Sequence, residues 1–411
     1  MKTGILGGTF SPIHDGHLRL ARIYQQELGL EKMLLIPTYQ PPHKQTDHLP
    51  DGEHRCRMAE LASEGLPGFE VSDIEIRRGG KSYTVDTLTE LRELYPEGEF
   101  YLLTGSDMFC TVLDWHRGSE LVRMAEICTM ERGGDTAEML ETQAGHIRAA
   151  GGRARILHRE PFNCSSTGIR ERIAAGCRDS RELGISPKVL SYILQNGLYG
   201  SDVRDWVYDE DKFVETARRL EKPARFAHSM NVAARAEELA ERYGENPTLC
   251  RVAGILHDVC KNLPDKEQFS LVKRLRGPIK NDIMNDKSFG LVPPIWHGPA
   301  AAAYIWEELG VYNRDILYSV AYHTTGRAGM SLFEKIIYIA DLTSAERDYP
   351  DAREVRDLAD RDLDAALRCS LEFTLNKMRT NATPMTRDTL ETMREYGIDC
   401  GEYTDGKEEM E

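Results

Sequence analysis

No C-x-x-C pair occurs in this chain, although it holds nine cysteines, at positions 56, 110, 128, 164, 177, 250, 260, 369 and 400. The count is odd and the spacing irregular, so reduced thiols are expected rather than a disulfide framework. No apolar run approaches the ~20 residues of a membrane-spanning helix. The first residues lead straight into a strand pattern without a signal peptide, and a cytoplasmic location is expected. Positive charge is scarce: 52 Lys and Arg stand against 67 Asp and Glu, for a net charge of −15. Broad nucleic-acid or anionic-membrane binding needs a basic surface, so that balance argues against both, while leaving room for a small phosphate pocket. No repeat relates the two halves. What is present is 41% hydrophobic and 29% charged over 411 residues. That length exceeds one ordinary core, and two domains are expected.

Residues 4–17 read Gly-Ile-Leu-Gly-Gly-Thr-Phe-Ser-Pro-Ile-His-Asp-Gly-His. A short apolar strand runs into Gly7 and Gly8, a loop carries Thr9 and Phe10, and an amphipathic helix follows over 18–28. Strand, glycine turn and helix in that order open a nucleotide-binding α/β domain. Glycines let backbone approach a phosphate, and the helix start offers N–H groups and positive dipole. His14 and His17, three apart, can face one way and donate to a phosphate as charge develops. Two solvated histidines, or a zinc pair, are the alternatives for a bare H-x-x-H.

Further strands are expected over 33–37, 70–76, 100–103, 125–130 and 155–157, with a helix over 54–63 and another that residues 81–88 enter and that ends near Tyr95. Pro41-Pro42-His43-Lys44 makes an extended loop with Lys44 placed to reach a phosphate. Asp107 follows a strand, where open α/β sheets bind ligands. Asn163-Cys164-Ser165-Ser166-Thr167-Gly168-Ile169-Arg170 opens a helix with hydroxyls, N–H groups and an arginine together. A plain helix cap is the alternative for its Ser/Thr cluster.

The opening string resembles the T/HxGH signature of the nucleotidyltransferase superfamily, with Ser11 where Asp is usual. Adding Pro41-Pro42-His43-Lys44, Ser82-Tyr83-Thr84-Val85-Asp86-Thr87, Gly105-Ser106-Asp107 with Trp115, and Ser165 to Arg170, residues 1–200 resemble the bacterial nicotinate-nucleotide adenylyltransferases. The resemblance extends to a closing helix over 189–199. It implies a Rossmann-like, doubly wound sheet and adenylyl transfer from ATP, with Mg²⁺, to nicotinate mononucleotide. Gly7, Gly8, Thr9 and Phe10 would form the nucleotide loop. His14, His17, Lys44 and Arg170 would meet phosphates. Gly105, Asp107, Ser165 and Ser166 would hold the adenosine side, and Thr84, Trp115 and the backbone of His116 the pyridine ring and its carboxylate.

The pattern breaks near Gly197, Gly200, Ser201 and Asp202. Domains over 1–201 and 202–400 are expected, the second all-helical. Phe226, Met230, Ala233 and Glu237 share a helical face. Asn246-Pro247 starts a helix, Pro299 and Gly310 bracket another, and Ser331 with Glu334 forms a capping box before 336–342. Along these helices lie His228, His257-Asp258, His297, His323 and Asp341. Ionisable groups ending an apolar helical run are costly to bury unless compensated, and metal coordination compensates them. Each histidine alone reads as a packing residue; the ordered set resembles the HD phosphohydrolase superfamily in its six-ligand, two-metal form. The resemblance implies one metal on His228, His257, Asp258 and Asp341, and a second sharing Asp258 and taking His297 and His323. Iron is expected, with manganese or zinc as alternatives. Lys261, Thr324 and Arg327 would reach substrate phosphates.

The segments around 256–261, 296–299, 322–327 and 330–336 are similar to bacterial HD enzymes that split diadenosine tetraphosphate symmetrically into two ADP. The expected partners are small nucleotides, with no nucleic acid and no membrane, and a homo-oligomer stays open. Two alternatives stand: a different phosphate acceptor for the first domain, and a nucleotide-sensing regulatory role without turnover for the second.

Overall fold

The computed structural model describes residues 1–41, 49–131, 137–158 and 165–401. The chain divides into two compact units, Met1–Asp205 and Trp206–Glu411.

The first unit is built on six strands: β1 (Lys2–Gly8), β2 (Lys32–Pro37), β3 (Phe69–Val71), β4 (Glu99–Thr104), β5 (Glu126–Met130) and β6 (Arg153–Leu157). All neighbours are parallel, in the order β3-β2-β1-β4-β5-β6. Parallel strands buried on both faces read as continuous apolar runs, as Met33-Leu34-Leu35-Ile36 and Phe100-Tyr101-Leu102-Leu103 do. Ile5 pairs with Leu34 on one side and Leu102 on the other. Chain order reverses between β1 and β4, so the loops leaving their C-terminal ends flank a crevice.

The strand expected over 70–76 ends early. β3 stops at Val71, and Ile74–Arg78 is helical. The alternation Val-Ser-Asp-Ile-Glu-Ile mimics a strand, but Arg77 reaches back one turn to Asp73 at 2.9 Å, and Thr87 donates to buried Glu75 at 2.7 Å. Local pairing and a buried carboxylate therefore outweigh the two-residue period. The closing helix is also shorter than expected, Pro187–Gln195, with Gly197 left-handed beyond it.

The second unit is built of helices joined by turns and loops, with no strand among its described residues. Its centre is formed by the helices Pro223–Tyr243, Pro247–Leu256, His297–Tyr304, Arg314–Tyr322 and Leu332–Thr343. Asn246 caps the second, accepting from the Leu249 N–H at 3.1 Å, with Pro247 following. Ser331 and Glu334 form the capping box of the last. The third begins at His297, two residues before Pro299, and continues as a π turn over Ile305–Leu309 to left-handed Gly310. On Pro223–Tyr243 the buried face centres on His228, Ser229, Val232, Ala236 and Leu239; Ala233 is buried, while Phe226, Met230 and Glu237 sit half-buried at its margin. Two glycines set the helix spacing. A Cβ on Gly254 would stand 2.6 Å from the Ala233 Cα, and one on Gly298 would stand 2.9 Å from the Ala321 carbonyl oxygen. Neither helix pair could approach so closely with a side chain there.

Candidate active sites

In the first unit the loop after β1 is held by its carbonyls. Buried Arg55, on the helix Gly52–Ser63, donates to the carbonyls of Thr9, Thr38, Tyr39 and Pro50. Arg170 donates to the Ser11 carbonyl at 2.8 Å and the Ser166 hydroxyl to that of Pro12 at 3.0 Å. Ser11 itself lies 3.1 Å from the Tyr199 hydroxyl, a partner that its shorter side chain can meet. The N-terminus of the helix Ser166–Ala174 is thus fastened against residues 9–14.

His14 precedes the helix Asp15–Leu28 and His17 lies in its first turn, with ring centroids 3.8 Å apart. His17 Nδ1 accepts from the His14 N–H at 3.3 Å. His14 is 6% exposed and its Nδ1 has no hydrogen-bond partner. Burial pushes its imidazole down to about 4, so the ring is neutral near pH 7. Phe10 is 2% exposed and packs edge-on against His17, at 5.1 Å. Its ring braces the histidine from inside, which leaves the backbone of Phe10 as its contribution to the expected nucleotide loop. Gly7 is open to solvent, whereas Gly8 packs on the Phe10 ring.

Gly105 caps the turn after β4, with Asp107 exposed in the first turn beyond it. Pairing of β1 with β4 brings this edge beside the histidine loop. The segment carrying Thr84 meets the one carrying Trp115 and His116 through contacts the sequence did not reveal: the Tyr83 and His116 rings lie 4.3 Å apart, tilted by 33°, and Arg117 bonds Asp86 at 3.3 Å. Ser165 accepts from the Gly168 N–H at 3.2 Å as a helix cap. Lys44, with Pro42 and His43, lies outside the described residues, as do Asn163 and Cys164.

The second unit gathers all six expected ligands. His228, His257 and Asp258 converge, as do His257, His323 and Asp341, and Asp258, His297 and His323, the ligand atoms within each set lying within 4.8 Å of one another. The local chemistry repeats. His257, His297 and His323 each donate Nδ1–H to the carbonyl three residues back, those of Gly254, Pro294 and Val320, all at 2.8 Å. Two of these carbonyls belong to helix ends and lack intrahelical partners. His228 uses Nδ1 on the Glu346 carboxylate. Every ring is thereby locked with Nε2 facing inward as a lone-pair donor.

Those inward atoms converge on the two aspartates. His297 Nε2 lies 3.2 Å and His323 Nε2 3.6 Å from Asp258 Oδ1, and His228 Nε2 lies 3.0 Å from Asp341 Oδ1. His257 Nε2 is buried with no hydrogen-bond partner. The Nε2 atoms of His297 and His323 are 3.1 Å apart. Two lone pairs so close repel unless a cation lies against them. Neutral imidazoles and carboxylates are also the donor set that suits divalent transition metals, so the residues fit such ions.

The electrostatics agree at His257 and His297 and differ at His228, where two carboxylates favour the protonated ring. Burial lowers His257 to about 4 and also lowers His297. Burial would raise Asp258, but His257, His297 and His323 outweigh it and hold the carboxyl well below its usual range. Burial would likewise lower His228, but Asp341 and Glu346 outweigh it and raise the imidazole.

Three neighbours escaped the sequence reading. Glu346, fixed by Asn231 and Ser344, stands behind His228. Arg225 bonds Asp258 at 2.9 Å and Arg347 bonds Asp341 at 2.8 Å. Arg225 lies one turn before His228, a spacing that offered a signal; Glu346 and Arg347 lie beyond the helix end and offered none. Lys261 Nζ stands 3.2 Å from His297 Nδ1, and Thr324 Oγ1 3.3 Å from His297 Nε2, both at the centre. Arg327 differs from expectation. Its guanidinium forks onto buried Glu334 at 2.6 and 2.7 Å, so those donors are not turned to a phosphate.

The fold and these two clusters define a nucleotidyltransferase-type unit followed by an HD unit. A cytidylyltransferase-like family model matches residues 5–172 and an HD-domain model residues 225–346. The chain is 36% identical over 213 residues to a probable nicotinate-nucleotide adenylyltransferase of Shewanella pealeana, covering 49% of this chain and 97% of that protein. Through its first unit the chain belongs to the nicotinate-nucleotide adenylyltransferase family. Among solved structures, a predicted HD superfamily hydrolase involved in NAD metabolism from Clostridium acetobutylicum is 30% identical, with 46% of this chain and 97% of that one covered and a TM-score of 0.41. A Plasmodium falciparum nicotinic acid mononucleotide adenylyltransferase complexed with NaAD is 21% identical, with 49% and 98% covered and a TM-score of 0.40. No helix among the described residues is long and apolar enough to cross a membrane.

Proposed function

We propose that the chain is bifunctional: its first unit transfers adenylate from ATP to nicotinate mononucleotide, and its second hydrolyses diadenosine tetraphosphate to two ADP. The first half of the reading is supported by the match to adenylyltransferases over nearly their whole length, combined with the shared edge of β1 and β4. The acceptor's phosphate oxygen attacks the α-phosphorus of ATP, and the bond to the bridging oxygen of pyrophosphate breaks. His14 offers a neutral ring whose buried Nδ1 lacks a partner, and His17 is braced beside it, so both rings are fixed before charge develops. Lys44 and Arg170 would meet phosphates, Gly105, Asp107, Ser165 and Ser166 the adenosine side, and Thr84, Trp115 and the backbone of His116 the acid ring. Mg²⁺ would screen the triphosphate.

The second half rests on one observation: four Nδ1 tethers leave four Nε2 atoms aimed at two carboxylates. Two divalent ions bound there would supply Lewis acidity and lower the pKa of water. The chain's part is to hold the rings rigid, with Lys261 and Thr324 set against His297 at the centre. Iron is the favoured metal, with manganese or zinc next.

The full chain, loaded with iron, is to be given ATP with nicotinate mononucleotide and, separately, diadenosine tetraphosphate, with products resolved by chromatography. Deamido-NAD with pyrophosphate, and two ADP, are expected. Adenylylation of phosphopantetheine in place of nicotinate mononucleotide would overturn the first assignment. Tetraphosphate binding without release of ADP would overturn the second and favour a sensor.

A further inference from the structure

Arginines in the second unit fall into two kinds. Arg235 uses its whole fork, on Thr343, Glu238 and Asp360, and Arg356 is held by the carbonyls of Thr343, Ser344 and Arg347. These are structural. Arg225 and Arg347 differ. A guanidinium carries five N–H donors. Among the described residues, the Arg225 guanidinium forms one hydrogen bond, to Asp258 Oδ2, and the side chain is 33% exposed. Arg347 reaches Asp341 and, at 3.4 Å, the Tyr349 hydroxyl; its Nε is buried with no partner, and the side chain is 28% exposed. Each therefore runs from a buried carboxylate to the surface with donors left over, and the two stand on different aspartates of one centre.

We infer that Arg225 and Arg347 bind the phosphates on the two sides of the bond that is cut, one arginine over each carboxylate; this rests on the hydrolase reading above. Splitting the central bridge adds the oxygen of water to one phosphorus and breaks its bond to the bridging oxygen. Two ADP leave and protons go to solvent, so the negative charge of the polyphosphate rises. Planar forks that match phosphate geometry hold such a chain on both sides better than one flexible ammonium does. Lys261 is turned toward His297 and Arg327 toward Glu334, which leaves these two arginines as the outward-reaching cations of the cluster. A polyphosphate gripped on either side of its middle is cut in its middle, so the pair would also set the symmetry of cleavage.

The test uses the full chain as wild type, Arg225→Gln, Arg347→Gln and Arg225→Lys. Metal per chain is read by elemental analysis. Binding of a methylene-bridged diadenosine tetraphosphate is followed by calorimetry, the component abolished by a chelator reporting the second centre. Melting curves identify any variant that does not fold, and the lysine variant then carries the test. We expect unchanged metal content, chelator-sensitive affinity weaker by about tenfold or more in each glutamine variant, and partial recovery with lysine. The KM for the tetraphosphate should rise more than kcat falls. Wild-type affinity in both glutamine variants overturns the inference, as does a loss of affinity that tracks loss of metal. If the metal-loaded wild type neither binds nor cleaves the tetraphosphate, the hydrolase reading itself fails.

Discussion

Glu346→Gln removes a negative charge from behind His228 while keeping an oxygen that can accept a hydrogen bond. In the native chain the carboxylate takes Nδ1–H of His228, the Ser344 hydroxyl at 2.8 Å and the Asn231 amide at 2.6 Å. Burial would raise its pKa, but these bonds, led by that from His228, hold it at about 2, so it is charged throughout the working range. The charge makes Nε2 of His228 a better donor to a metal. Exchanging a charge-assisted bond for a neutral one costs about 1 kcal/mol or somewhat more, and loss of such outer partners weakens metal binding by roughly 10- to 100-fold. The fold should survive, because Glu346 is 38% exposed and an ion pair so placed contributes only ~1 kcal/mol at most. Competition against a graded chelator should show one ion released earlier than in the wild type and the other unchanged. Equal release of both ions at wild-type chelator concentrations would refute the tether argument.

Other consequences are equally open to measurement. Arg55→Met leaves up to four loop carbonyls without their donor and should destabilise the first unit by roughly 3–5 kcal/mol, read as a lower denaturant midpoint for its transition; a shift under ~1 kcal/mol would mean that the loop repacks. His14 sits at about 4 when folded and near 6.5 when unfolded, so the unfolded chain binds more protons between those values. Its contribution is therefore intact above pH ~6.5 and lost as pH falls toward 4, by about 3 kcal/mol in all. The midpoint difference between wild type and His14→Gln should change by ~2 kcal/mol between pH 7.5 and 5, and a pH-independent difference would contradict the buried neutral ring. Gly254→Ala places a methyl against the Ala233 backbone, should cost roughly 1–3 kcal/mol, and should lower metal content by moving the carbonyl that holds His257. Full metal occupancy in that variant would show that the tether is dispensable.

The amino-acid order alone determined the alternation of apolar strands with helices in the first unit, the helical character of the second, and the identity of the six residues that gather in it. Those features are local, carried by continuous apolar runs, caps such as Asn246 with Pro247, and short motifs that need no partner to be recognised. Tertiary structure alone decided the rest. Glu75 became helical because its carboxylate met Thr87, twelve residues on, where alternation had pointed to a strand. Phe10 turned inward to brace His17, and Arg327, which looked suited to a phosphate, was drawn to Glu334. Arg55 gained its four carbonyls, and Arg225 and Arg347 their aspartates, only when separate segments closed around them. A hydrogen-bond donor shows its chemical type in a sequence but not its acceptor, because the acceptor is chosen by the packing of the whole core.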